Sequence, residues 1–241
     1  MSSFRFSLIC TRVALLFILF SGIRLSAEST RANALLQQGR VDEARHALQQ
    51  TLSAQPGDAQ AHQLLCRVYY AQEMADSAIR ECELSASSDP GNSDTQMWLG
   101  RAYGMKASRA NPLIAFSIAR KVHAAFERAV QLDPANVQAM SDLGEYYVQA
   151  PAIVGGGLDK ARDLANRMEP RFPSQAHRLR ALIANQSKDP ATAEAEFKKA
   201  VQAGRTPAAY IDLGQFYQSR RQPEKALEAL RAGVEADHRK D

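Results

Sequence analysis

The stretch QAPAIVGGGLDKAR, Gln149 to Arg162, holds three consecutive glycines, Gly155, Gly156 and Gly157. Glycine-rich loops hold phosphate because a bare backbone lets several N–H groups converge on one anion. A nucleotide loop of that kind also needs Gly-Lys-Ser/Thr at its end, or a strand before it. Here Leu158 and Asp159 follow the glycines. An acid at a helix start repels the anion that the helix dipole attracts. The glycines therefore read first as a turn.

The other residues with chemical potential are sparse. His46, His62, His123, His177 and His238 are scattered, with no pair at metal-ligand spacing. There is no Gly-x-Ser-x-Gly and no local pair of acids with a role. No catalytic residue, metal ligand or cofactor is expected. Beyond residue 27 the only cysteines are Cys66 and Cys82. They are either a disulfide, permitted in an oxidising compartment, or two small buried side chains.

The elements that position these residues begin with an export signal. Arg5 and Arg12 precede an apolar run from Val13 to Phe20, and Ser26-Ala27 supplies small residues near a cleavage point. Residues 1–27 thus read as a secretory signal peptide, or as an uncleaved N-terminal anchor. An exported, periplasmic or secreted protein is expected. The chain of 241 residues carries a net charge of +4. Removing residues 1–27 takes away three Arg and no acid, leaving +1. A near-neutral surface gives no reason to expect nucleic acid.

Residues 28–241 contain a period. Pro56, Pro90, Pro134 and Pro173 are separated by 34, 44 and 39 residues. Between them recur LLCRVYY, WLGRAYG, DLGEYYV and, later, DLGQFYQ, each with Leu before a small residue and Tyr three further on. Gly100, Gly144 and Gly214 each cost up to about 1 kcal/mol in a helix interior. That cost makes sense where a second helix packs too closely for a side chain. Ala44, Ala78, Ala161, Ala193 and Ala226 supply the matching small surface.

This pattern resembles the tetratricopeptide repeat: Leu-Gly-x2-Tyr in a first helix, Ala-x3-Phe in a second, then Pro. The resemblance covers roughly residues 32–237. It implies an all-α, right-handed α-solenoid of about six helix pairs, near 25–58, 59–92, 93–136, 137–173, 174–206 and 207–240. The fifth pair lacks both the Leu-Gly and the Tyr, which leaves its register ambiguous by about two residues.

Two pairs are longer than 34 residues. The extra ten residues of the third fall within about 104–121, and the extra five of the fourth within about 149–158. Both intervals join the two helices of a pair, so they should be spatial neighbours along one edge of the array. Asn111 can cap a helix opening at Pro112 and running to about Leu132. Leu113, Ile114 and Phe116 on that helix, with Pro151, Ile153, Val154 and Gly155–Gly157, would form an apolar lip. Six basic residues against one acid between Arg101 and Arg128 make the region locally basic. A solvated helix face is the plainer reading of that strip. Acidic partners or lipid headgroups are the functional one.

The inner face should carry Gln63, Arg67, Trp98, Arg101, Gln138, Ser141, Glu145 and Gln215. The resemblance implies a non-catalytic scaffold or adaptor, here in a cell envelope, that binds a protein or peptide through this face and the lip. The Lys and Asn set by which some family members grip a C-terminal carboxylate is not found together, although Arg67 and Arg101 could still hold one carboxylate. The alternative is a protein that binds a lipid or small apolar ligand, as partner of an envelope transport system.

Overall fold

The computed structural model describes residues 28–238, so the export reading of residues 1–27 lies outside it. The chain divides into two compact units that meet at Ala110/Asn111. The described residues are helical apart from turns and connecting segments, with no strand among them. Unit one contains α1 (28–37), α2 (Val41–Ala54), α3 (Ala59–Ala71), α4 (Ala75–Ser88) and α5 (Ser93–Ser108). Unit two contains α6 (Pro112–Leu132), α7 (Val137–Gln149), a 3₁₀ turn (Ala152–Val154), α8 (Leu158–Met168), α9 (Pro173–Gln186), α10 (Pro190–Gly204), α11 (Pro207–Ser219) and α12 (Pro223–His238).

Local chemistry sets the ends. The side chains of Asp58, Asn92, Asn111, Asn136, Asp189 and Thr206 each accept a hydrogen bond from a backbone N–H of the first turn they precede. Pro112, Pro173, Pro190 and Pro207 stand at helix starts, where the missing N–H costs nothing. The tight turns inside four pairs place one residue in the left-handed region: Gly39, Glu73, Lys188 and Arg221.

The repeated tyrosine has a specific duty. The hydroxyl of Tyr103 donates to Glu83 at 2.7 Å, that of Tyr147 to Glu127 at 3.2 Å, and that of Tyr217 to Glu194 at 2.9 Å. Each bond ties a first helix to the second helix before it. Burial, then the nearby Glu127 carboxylate, pushes the Tyr147 hydroxyl up to about 12, so it remains a proton donor.

The small-residue sites behave as contact points. A Cβ on Gly144 would lie 2.7 Å from the Leu179 side chain, and one on Gly214 would lie 2.9 Å from Leu230. In α3 the small site is Cys66, and it is bonded to Cys82 of α4 with a Cα–Cα distance of 5.3 Å. Helix axes are ordinarily too far apart for such a bridge. The bridge forms here because this is the site where the two backbones approach most closely.

The fifth pair resolves its own register. His177 bonds Glu196 at 2.7 Å, as His62 bonds Glu81 at 2.7 Å, the partners standing 19 positions apart in both cases. Ala181 then occupies the Cys66 site and Phe197 the Cys82 site. Both are buried in one cluster of unit two, where Phe197 fills the space that the sulfurs take in unit one.

The two insertions are built differently. Relative to α3 and α4, of 13 and 14 residues, α5 and α6 have 16 and 21, so the third pair absorbs its ten residues as helix. The fourth pair takes its insertion as a folded turn. Gly155 has φ +101°, and a Cβ there would meet the His123 ring at 2.6 Å. A Cβ on Gly156 would collide with the Ala150 carbonyl oxygen.

On α12, Leu227, Leu230 and Val234 are exposed. The last helix therefore does not carry the fully polar outer face that a terminal repeat usually has.

Replacing both cysteines by Ala should lower unfolding stability by roughly 3 kcal/mol in denaturant titrations. Cys66→Ala with Cys82→Phe should recover much of that loss, since it rebuilds the packing of Ala181 on Phe197. Gly156→Ala should cost about 3 kcal/mol or more, because backbone cannot move aside cheaply. Gly104→Ala in α5, where a Cβ meets nothing within 4 Å, should instead stabilise by up to about 1 kcal/mol.

Candidate interaction surfaces

The glycine turn has no capacity for an anion. The N–H of Gly155 donates to Ala152 O at 3.0 Å, that of Gly156 to Pro151 O at 3.2 Å, and that of Gly157 to Tyr147 O at 2.8 Å. All three donors that a phosphate would need are used by the backbone itself. The turn is thus a fixed connector, not the flexible one that its composition suggests.

Three of the histidines are likewise consumed by packing. His62 and His177 pair with Glu81 and Glu196 within their helix pairs. His123 stacks on Tyr146 with ring centroids 5.4 Å apart. Among the described residues, no group of three or more His, Cys, Asp or Glu is placed to hold a metal ion.

In unit one, three residues of the expected inner face converge. The Arg101 guanidinium lies 4.5 Å from the centre of the Trp98 ring, and Arg67 lies 5.3 Å from it. Tyr70 meets the same indole edge-on at 5.4 Å. Arg67 Nη1 donates to Asn33 Oδ1 at 2.9 Å, which fixes the guanidinium from the neighbouring first helix. Burial lowers the pKa of Arg67; Asp94 opposes this and Arg101 adds to it. Two cations thus lie against one indole, an arrangement favoured by the ring quadrupole. Gln63 corrects the expected face. It is buried, because α3 packs against α2, α4 and α5 together.

In unit two, the corresponding helices carry a closed ladder. Arg178 of α9 reaches Glu145 of α7 at 2.6 Å and Asp212 of α11 at 2.8 Å. Burial works against the Arg178 charge, but the two carboxylates outweigh it and raise its pKa. Burial raises the Asp212 carboxyl, Arg178 opposes that, and Glu145 reinforces it. Glu145 is therefore engaged within the fold. Gln138 and Gln215 are exposed, and Ser141 is half-buried with its hydroxyl bonded to Val137 O at 2.8 Å. Reading the sequence missed Arg178, Asp212 and Asn33. The 34-residue steps from Asn33 to Arg67 and from Arg178 to Asp212 were the available signal.

Unit two also brings the insertion residues together. Asn111 caps α6 by accepting from Ile114 N at 3.1 Å, with Pro112 at the first position. The Tyr146 hydroxyl lies 2.9 Å from Ala119 O of α6 and 2.6 Å from Val154 O of the 3₁₀ turn, so one phenol ties both segments. Val154 is buried, while Pro151, Ile153, Leu113, Ile114 and Phe116 are exposed. The basic strip is less open than its count implies. Lys106 pairs with Asp76 and Arg109 with Glu73.

Residues 35–101 and residues 207–238 each match a family model described as tetratricopeptide repeat. Comparison with curated proteins gives no match. Among solved structures, a thermophilic TPR protein of Thermus thermophilus is similar at 16% identity, over 88% of this chain and 91% of its own, with a TM-score of 0.57. PilW, described as a widely conserved type IV pilus biogenesis factor, is 14% identical over 89% of this chain and 91% of its own, with a TM-score of 0.61. YrrB, described as a TPR protein with an unusual peptide-binding site, is 18% identical over 74% of this chain and 85% of its own, with a TM-score of 0.51. At these identities the likeness is one of fold. Residues 35–101 and 207–238 thus carry tetratricopeptide repeats, and proteins built from this repeat generally mediate protein–protein interaction.

Proposed function

We propose that this protein is a non-catalytic adaptor of the cell envelope that holds an acidic segment of a partner protein on the first-helix face of unit one. The observation that carries the proposal is the stack of Arg67 and Arg101 on Trp98. Two guanidinium groups are held there by an indole and an asparagine before any ligand arrives. A carboxylate entering that site gains charge-assisted hydrogen bonds with little side-chain ordering left to do. Unit two offers no comparable site, since Arg178 already has two carboxylates. Export is supported by the pattern of residues 1–27 and by the Cys66–Cys82 disulfide, which suits an oxidising compartment.

Trp98 is the only tryptophan of the chain, so its emission reports directly on this site. Titration with Asp/Glu-rich peptides ending in a free carboxylate should change that emission saturably, and salt should weaken the effect. Arg101→Glu should weaken binding at least tenfold, roughly 1.4 kcal/mol. Arg180→Gln, in unit two, should leave it unaltered. Peptides that bind without touching Trp98 emission, or equal affinity for Arg101→Glu, would refute the assignment.

A further inference from the structure

The insertion residues of unit two leave an apolar patch that the adaptor reading does not use. Leu113 is 87% exposed and Ile153 is 70% exposed, with Ile114 and Phe116 also exposed. These residues belong to one surface. On α6, Phe116 shares a stripe with Ala119 and His123, three and seven positions on. Those two residues meet the 3₁₀ turn, Ala119 through the Tyr146 hydroxyl and His123 against Gly155. Ile153 sits in that turn, and Leu113 lies one helical turn before Phe116.

The surroundings of the patch are cationic. The Arg120 guanidinium rests 5.1 Å from the centre of the Phe116 ring, and Lys121 follows it. Lys160 donates to Gly155 O at 3.0 Å, at the far end of the turn. Residues 110–126 and 149–158 contain no Asp or Glu.

Large exposed side chains of this kind mark a contact surface, and the charge selects the occupant. A second copy docked by two-fold symmetry would set Arg120, Lys121 and Lys160 against their own counterparts. A groove for a peptide is not what these side chains make, since Leu113 and Ile153 project into solvent. An anionic bilayer suits both features. Projecting aliphatic tips enter the boundary between headgroups and acyl chains, and the cations meet lipid phosphates.

We propose that the patch formed by Leu113, Ile114, Phe116 and Ile153, flanked by Arg120, Lys121 and Lys160, is a docking surface for an anionic lipid bilayer. It positions unit two against a membrane. The proposal does not depend on the adaptor reading, because the two surfaces use different residues.

The test uses the full chain with p-benzoylphenylalanine in place of Leu113, irradiated with vesicles of phosphatidylcholine alone or mixed with phosphatidylglycerol. A local reporter is needed because residues 1–27 could hold the chain on any vesicle. The expected result is lipid adducts at position 113 that require phosphatidylglycerol. Yield-derived affinity should fall roughly fivefold for each cation removed in Arg120→Gln and Lys121→Gln, and Ile153→Asp should also lower it. Arg120→Gln and Ile153→Asp are at exposed positions and should leave the thermal unfolding midpoint unchanged. Absence of lipid adducts, or adducts indifferent to phosphatidylglycerol and to the charge variants, would overturn the proposal. Adducts to a second copy or to another protein in an envelope extract, in place of lipid, would overturn it as well.

Discussion

One constraint recurs in both units: small residues stand where neighbouring helices come too close for an ordinary side chain, within a pair or between the first helices of successive pairs. Gly144 receives Leu179, Gly214 receives Leu230, and Ala181 shares a cluster with Phe197. In α3 and α4 the close approach is spanned by sulfur. Once that site sets the spacing, the rest of the pair follows. The Tyr three residues after the small site comes within reach of a Glu on the preceding helix. The outward positions of the first helices are then left in register, free of packing duty, where charge can vary from pair to pair.

The two units use that freedom in opposite ways. Arg178 lies between Glu145 and Asp212, so its charge is spent on holding three successive first helices together. Arg67 and Arg101 instead lie on an indole, with Asp94 acting on the Arg67 charge. A buried ion pair broken by a newcomer would cost more than it returns, whereas a stacked guanidinium can accept a carboxylate along its edge. The proposed recognition site therefore falls in unit one, while Arg178 closes the corresponding face of unit two. Outside the helix faces, unit two devotes its two insertions to a surface of another kind.

Much of the fold could be read from residue types and spacing. Asn111, read as a cap, opens α6, and the periodic Pro90 and Pro134 follow the ends of α4 and α6. The Leu-Gly-x2-Tyr runs identify first helices because their chemistry is dictated by one contact. Other features depend on three-dimensional neighbours that periodicity does not contain. Gln63 has the spacing of an outward residue, yet α3 is covered from three sides. The fifth pair became readable only through His177 and Glu196, since a His-Glu bond carries no local signature. The glycines are explained by the Ala150 carbonyl and the His123 ring, and their amides by the carbonyls of Ala152, Pro151 and Tyr147. Tyr146 stands beside the repeated Tyr147 in sequence, but its hydroxyl joins two insertions that the pattern does not describe.

The central claim is that the indole-stacked arginines of unit one take up an acidic ligand and Arg178 of unit two does not. Arginine Nε–Hε resonances measure this directly, since each side chain reports its own hydrogen bonding. With an acidic peptide added, the account predicts progressive, saturable shifts of the Arg67 and Arg101 signals while Arg178 stays in place. Movement of Arg178 with Arg67 and Arg101 unperturbed would contradict it.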